Sequence, residues 1–293
     1  MKSGPNALYL GAFEYSTLVY RQNTEFLKID NSQTPAISII IPTYQAGETL
    51  ENVLESITTQ SSQDYEVLIM DGGSSDNTAT IASRYCQRYP QIRFHSEPDQ
   101  GVYHAMNKGI QIARGQWLLF LGSDDLLYRH DTLERVLPVL GDDDDVVYGN
   151  VYSTRFGGIY DGEFDNEKII NKNISHQSIL FNRRTFATLG YYDPAYKVVA
   201  DWEFNFRWFL SKQIRKRHID ETISNYADGG MSSRHDDLLF QQNRMLLYLR
   251  YGKEQLKLST KNSILLSELK RALRTRNLRL LVGILRAVPR VYF

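Results

Sequence analysis

Two adjacent aspartates, Asp124 and Asp125, follow Gly122 and Ser123 at the end of a short apolar run, Trp117-Leu118-Leu119-Phe120-Leu121. Neighbouring carboxylates repel each other and lose hydration when half buried, so they are stable together mainly where a cation or several hydrogen-bond donors face them. Hard oxygen ligands of this kind suit Mg2+ or Mn2+ held jointly with a phosphate, because those ions keep an incomplete protein shell. For an isolated pair the plainer role is a solvated turn or a helix cap. Position decides between them: the apolar run, flanked by Gly115 and Gly122, is too short for a helix and fits a strand buried on both faces of a parallel sheet. Open α/β sheets place their ligands at the carboxyl ends of such strands, where this one delivers its carboxylates.

The flanking sequence supplies the rest of that sheet. Residues 37–41 form a buried strand ended by Pro42, 48–59 an amphipathic helix, and 66–70 a second strand. Asp71-Gly72-Gly73 then turns tightly, and Asp76 caps a helix running to residue 89. A strand at 92–95, a helix at 102–113, a helix at 131–140 and a strand at 146–148 continue the alternation, which specifies a doubly wound α/β sheet. Asp142, Asp143, Asp144 and Asp145 precede that last strand at its amino end and read as a solvated turn. From 150 to 173 the pattern loosens into a loop or hairpin insertion. Beyond it come a strand at 176–181, a helix at 184–189, a helix opened by Asp201 and running to 210, a strand at 217–226 and a glycine-rich stretch, 228–235, able to act as a lid. The reading divides the chain into an arm at 1–34, a main domain at 35–235 and a helical extension at 236–293.

Composition narrows the class. Apolar content of 42% and charged content of 23% are those of an ordinary soluble globular protein. The formal net charge is zero but unevenly spread: from Gln241 onward only Glu254 and Glu268 are acidic, against basic residues that include Lys257, Lys270, Arg274 and Arg286. A basic tail of this kind meets an anionic surface, either a lipid bilayer or the protein's own acidic body. Cys86 is the single cysteine, which rules out an internal disulfide and agrees with a reducing compartment. No apolar stretch reaches the roughly 20 residues needed to cross a bilayer, so the expected location is cytoplasmic, at the inner face of the cytoplasmic membrane.

The ordered motifs Pro42-Thr43-Tyr44, Asp71-Gly72-Gly73-Ser74-Ser75-Asp76, Glu97-Pro98-Asp99-Gln100-Gly101-Val102-Tyr103, Ala105-Met106-Asn107-Lys108-Gly109, Ser123-Asp124-Asp125 and Ala200-Asp201-Trp202-Glu203 closely resemble family 2 glycosyltransferases. The likeness is strongest to the branch that assembles colanic acid, capsule and O-antigen. It implies a GT-A fold, a doubly wound mixed sheet with a helical C-terminal extension, and an inverting transfer from a nucleotide-activated sugar assisted by Mn2+ or Mg2+. By this resemblance Pro42, Thr43 and Tyr44 border the base, Asp71 accepts the uracil imide hydrogen beside Gly72, and UDP is the carrier. Asp124 lies by the ribose, Asp125 is the metal ligand, Lys108 supplies charge to the phosphates, and Ser123 and Asn107 are further substrate-binding candidates. Asp201 is the catalytic base, although it is equally placed to cap its helix. Trp202 and Glu203 contact substrate, with Glu203 orienting the acceptor, and His176 is a further candidate near the cleft. Arg234 and His235 close over the diphosphate. His104 and Gly122 depart from the branch pattern, where aspartate and asparagine are common.

The implied partners are a UDP-sugar and a saccharide or lipid-linked acceptor, with no nucleic acid, since no recognition motif accompanies the basic tail. A sugar-phosphate nucleotidyltransferase lacks its glycine-rich basic loop here, and a dehydrogenase lacks Gly-x-Gly-x-x-Gly after a strand. A non-catalytic scaffold that keeps the fold and binds through its tail is the remaining alternative.

Overall fold

In the computed structural model, which describes residues 34–160, 162–227 and 236–292, the expected alternation becomes one mixed sheet of nine strands. The arm, apart from Thr34, and the 228–235 stretch with Arg234 and His235 lie outside the described residues. Strands β1 (Ile37–Thr43), β2 (Tyr65–Asp71), β3 (Ile92–Ser96) and β4 (Trp117–Phe120) are parallel. The helices α1 (Leu50–Thr58), α2 (Thr78–Arg88) and α3 (Val102–Ile112) link them. Because strand side chains alternate faces, Ile37, Ile39 and Ile41 enter one core layer while Ile40 enters the other. Both layers are covered, which is why β1 reads as a nearly continuous apolar run.

The second half of the sheet mixes the two directions. β5 (Leu126–Leu127) is followed by α4 (Thr132–Val136), β6 (Val146–Ser153), β7 (Gly158–Tyr160), α5 (Lys168–Asn171), β8 (Ile179–Asn182), α6 (Arg183–Leu189), α7 (Ala200–Phe209) and β9 (Lys216–Asn225). β8 pairs antiparallel with both β4 and β6, and β9 runs parallel to β6. The order is β3-β2-β1-β4-β8-β6-β9-β5, with β7 a hairpin on β6. Helices α8 (Leu238–Gly252), α9 (Leu258–Arg274) and α10 (Leu278–Tyr292) follow. Their Phe240, Leu247, Ile264 and Ile284 join the same buried cluster as Phe181, Phe204 and Trp208, so one side of the extension packs on the body.

Several local expectations are corrected. Pro42 does not end β1, which continues through Thr43. Leu121 donates its N–H to the Ile40 carbonyl, so Pro42, two residues on, turns the same edge outward past the end of β4, where its missing N–H costs no ladder bond. The helix cap is Asn77 rather than Asp76, whose carboxylate accepts from the Thr78 N–H at 3.1 Å. Residues 176–181 are not one strand: His176–Ser178 forms a 3-10 turn before β8. The acidic run is not wholly solvated either. Asp145 is buried and accepts from Arg184 Nε at 2.5 Å and from the Arg215 N–H at 2.8 Å.

Glu66 fastens the amino ends of the parallel strands. It is 1% exposed and accepts from Ser38 Oγ (2.6 Å), the Arg114 N–H (2.6 Å), Arg114 Nε (2.9 Å) and Arg93 Nη2 (2.8 Å). Burial pushes its carboxyl up, but these donors and charges outweigh burial and hold it below its ordinary 4.5. A depressed folded-state value means stability that is complete above the ordinary carboxylate range and lost as pH falls through the folded value. Glu66→Gln is therefore expected to cost about 2–4 kcal/mol at pH 7, with the gap from wild type narrowing once the pH drops below 4.5. Urea midpoints across that range check this, and a pH-independent gap would contradict it.

Candidate active site

The site is assembled at the carboxyl edge of the parallel strands. Asp125 lies just past β4, 2% exposed. Its Oδ2 accepts from the Gly122 N–H at 3.1 Å and Gln177 Nε2 at 2.7 Å, and its Oδ1 from the Ala227 N–H at 2.9 Å. Gly122 allows this approach: a Cβ there would lie 2.4 Å from Asp125 Oδ2, so a larger residue would have to displace the carboxylate. Burial first, and then the charge of Asp124, push the Asp125 carboxyl up, while Ala227, Gln177 and His176 act in the opposite sense. Ser123 and Asp124 stand beside it, half-exposed.

Asp201 comes from a distant part of the chain. It sits one residue inside α7, whose cap position is Val199, so the expected helix-cap role is corrected. Its Oδ1 accepts from Tyr103 Oη at 2.8 Å and the Trp202 N–H at 2.9 Å; its Oδ2 accepts from Asn173 Nδ2 at 2.9 Å and faces His176 Nδ1 at 3.2 Å. Tyr103 has one proton to divide between Asp201 and the Val198 carbonyl, also at 2.8 Å, so Oδ1 keeps lone-pair capacity for an incoming donor. Burial and the Asp201 charge push the Tyr103 phenol well above its ordinary range, so it stays a donor.

The 3-10 turn of His176, Gln177 and Ser178 joins the two carboxylates. Its first residue faces Asp201 and its second grips Asp125. One tight turn thus contacts both carboxylates, which are both buried.

The base side is built on the exits of β1 and β2. Tyr44 is 66% exposed, presenting an aromatic ring beside buried Pro42 and Thr43. Gln45, at φ 52, is held in the left-handed region by Ser74 and Ser75, which bind its N–H and side-chain amide at 2.8 and 3.0 Å. Asp71 is buried and occupied. It accepts from Thr43 Oγ1, Ser74 Oγ, Ser96 Oγ and the N–H groups of Gly73 and Ser74. Burial raises its carboxyl, yet the bonds from Ser74, Ser96 and Gly73 prevail and hold it below the ordinary range. Those donors fill the lone pairs of both oxygens, so its role is to anchor the turn, and the expected bond to a uracil imide is corrected. Gly72 is there for close approach: a Cβ would meet the Asp99 carboxylate at 2.8 Å.

Three further assignments, Asn107, Trp202 and Glu203, are corrected by their partners. Asn107 is buried, donating to the Tyr192 carbonyl at 2.9 Å and accepting from the Tyr192 N–H at 3.1 Å, which pins the segment leading to Asp201. Lys108 pairs with the largely exposed Glu97 at 2.8 Å, a surface contact that leaves its phosphate role open to test. Trp202 donates its indole N–H to the Ile169 carbonyl at 2.8 Å and lies against Phe240. Glu203 is 2% exposed and clamped by Arg207 and Tyr251, so it cannot orient an acceptor. Gln177, Tyr103 and Asn173 were not foreseen. Tyr103 stands inside a recognised motif, and Gln177 adjoins His176, but a strand at 176–181 would have pointed neighbours to opposite faces.

The donor chemistry at Asp124 and Asp125 fits a hard divalent cation, whose charge would relieve the repulsion that raises Asp125. Among the described residues no three His, Cys, Asp or Glu side chains converge as a metal cage, so phosphate oxygens would have to complete the shell.

Comparison with known proteins bears on the family and the fold. The model of glycosyl transferase family 2 matches residues 38–199. A PGL/p-HBAD biosynthesis glycosyltransferase of Mycobacterium bovis is 41% identical over 204 residues, which cover 68% of this chain and 80% of that protein. S. aureus TarS 1–349, solved in complex with UDP-GlcNAc, superposes with a TM-score of 0.63 at 19% identity over 81% of this chain and 72% of that one. Mannosyltransferase PcManGT from Pyrobaculum calidifontis, solved with GDP-Man and Mn2+, gives 0.53 at 15% identity over 95% and 81%. At such identities the structural likeness concerns the fold, a GT-A-like mixed sheet with C-terminal helices.

Proposed function

This chain belongs to glycosyl transferase family 2, and from that premise we propose that it moves a hexose or N-acetylhexosamine from UDP to a saccharide or lipid-linked acceptor of a bacterial surface polysaccharide or glycolipid. The reaction is a single metal-dependent displacement that inverts the anomeric centre. The supporting observation is the His176–Ser178 turn, whose first residue faces Asp201 and whose second donates to Asp125.

Asp201 takes the proton of the acceptor hydroxyl as that oxygen attacks the anomeric carbon. Tyr103 and Asn173 fix the direction of its lone pairs, and His176 holds Oδ2 in place. Asp125 would hold the divalent cation, with Asp124 beside the ribose, and that cation would supply charge to neutralise the departing diphosphate. Gln177 and the Ala227 N–H keep Asp125 aimed without adding charge. Tyr44 offers a face on which the base stacks.

A UDP donor is favoured by the motif resemblance and by the UDP-GlcNAc held in TarS; GDP is the second reading, because PcManGT holds GDP-Man. The full chain, incubated with Mn2+ and a saccharide acceptor, is expected to release UDP from UDP-glucose, UDP-galactose or UDP-N-acetylglucosamine faster with acceptor than without. Release from GDP-mannose alone would replace the carrier. UDP binding without release from any donor would favour the scaffold.

A further inference from the structure

Helices α9 and α10 form an antiparallel pair around residues 275–277, and each has two apolar sides. The inner side, with Ile264, Leu265, Leu280 and Ile284, is buried in the common core. The outer side is not covered: Leu266 is 57% exposed, Leu273 62%, Leu278 72% and Leu285 64%. On α10, Leu278, Val282 and Leu285 stand at i, i+4 and i+7 and therefore form one stripe; on α9, Leu266 and Leu273 are seven apart and do the same. A side-chain hydrogen bond from Tyr292 to Asn262 joins the two outward rows at the end far from the turn, so the stripes lie side by side. Isolated exposed leucines need no explanation, but a contiguous strip across two helices does.

The charge around the strip is of one sign. Lys257, Lys270, Arg274, Arg276 and Arg286 are exposed. The only acid in these two helices, Glu268, is buried and paired with Arg271. Two copies of the chain meeting here would set basic residues against basic residues, and a nucleic acid would lay phosphates on leucines. A bilayer with anionic headgroups satisfies both features. Among the described residues no helix is long and apolar enough to cross a membrane, so the pair lies in the interface plane.

We propose that the outer face of α9 and α10 docks on an anionic lipid surface, with Leu266, Leu273, Leu278 and Leu285 entering the acyl boundary and the lysines and arginines meeting the headgroups. This goes beyond the transfer reaction and does not depend on it, since vesicle binding needs neither donor nor acceptor.

Flotation of the full chain with phosphatidylcholine vesicles, with and without phosphatidylglycerol, tests the proposal. Binding is expected only with phosphatidylglycerol and weakens as salt is raised. Leu278→Ser/Leu285→Ser and, separately, Lys270→Glu/Arg274→Glu/Arg286→Glu are each expected to lower the partition coefficient at least about tenfold. All these side chains are exposed, and circular dichroism verifies that both variants remain folded. Absence of wild-type binding, or binding by either variant at the wild-type level, overturns the proposal. So does a concentration-dependent dimer, seen by sedimentation, that both variants abolish while vesicles capture nothing.

Discussion

Replacing Asp201 by asparagine is expected to lower the rate of transfer to acceptor by about 10²–10⁴-fold, the usual contribution of a positioned general base, while donor affinity stays unchanged. The substitution keeps the side chain's size and its Oδ1 contacts with Tyr103 and Trp202. It removes the charge that accepts the proton, and it sets an amide donor against Asn173 Nδ2, now 2.9 Å away. That last conflict costs about 1–2 kcal/mol of stability, too little to unfold the chain. Calorimetric titration of UDP with Mn2+ and a product-specific transfer assay separate the two effects. Hydrolysis of the donor must be scored apart from transfer, because water can attack without a well-placed base. A variant that glycosylates acceptor at the wild-type rate would remove Asp201 from the base position, and the loss of both transfer and UDP binding would mean that the substitution had damaged the cleft.

The sheet was readable because its strands are buried on both faces, which forces uninterrupted apolar runs such as Ile39-Ile40-Ile41 and Trp117-Leu118-Leu119-Phe120. The carboxylates were readable from their positions after those runs. What each carboxylate faces was not, because partners are set by tertiary approach. Asp71 looks like a ligand-binding residue in sequence, yet its lone pairs go to its own turn and to Ser96 from the next strand. The His176 turn was hidden for a different reason. Ile179, Leu180 and Phe181 carry so strong a strand signal that it absorbed the polar residues before them. Asn107 shows a third case: an amide group in a recognised motif holds a segment around the cleft through Tyr192. Glu203 could have been read better. Helix α7 carries Phe204, Phe206, Trp208 and Phe209 around most of its circumference, and a helix apolar on all sides is buried, so an acid within it must be paired.

The partner of Glu203 is Arg207, one turn along α7, and Arg207→Leu is expected to cost about 3–5 kcal/mol because it leaves the glutamate buried without its countercharge. Arg207 Nε lies 3.0 and 2.9 Å from the two carboxylate oxygens, and Tyr251 of α8 donates to Oε1 at 2.7 Å. Burial disfavours the guanidinium charge, but Glu203 more than compensates and keeps Arg207 firmly protonated. Arg207 also donates to the carbonyls of Leu189 and Tyr191 at 3.1 and 2.8 Å. These immediately precede the Tyr192 backbone that Asn107 holds, so the pair fixes both the attachment of α8 and the segment leading into Asp201. Glu203→Gln keeps the bond from Tyr251 and loses the charge pairing, and it is expected to lower the urea midpoint without changing the acceptor KM. The double variant Glu203→Gln/Arg207→Leu should lose less than the sum of the single losses, since no unpaired charge then stays in the core. Additive losses would show that the two charges do not interact. A raised acceptor KM in Glu203→Gln at unchanged stability would instead return Glu203 to the substrate side, against its burial and its partners.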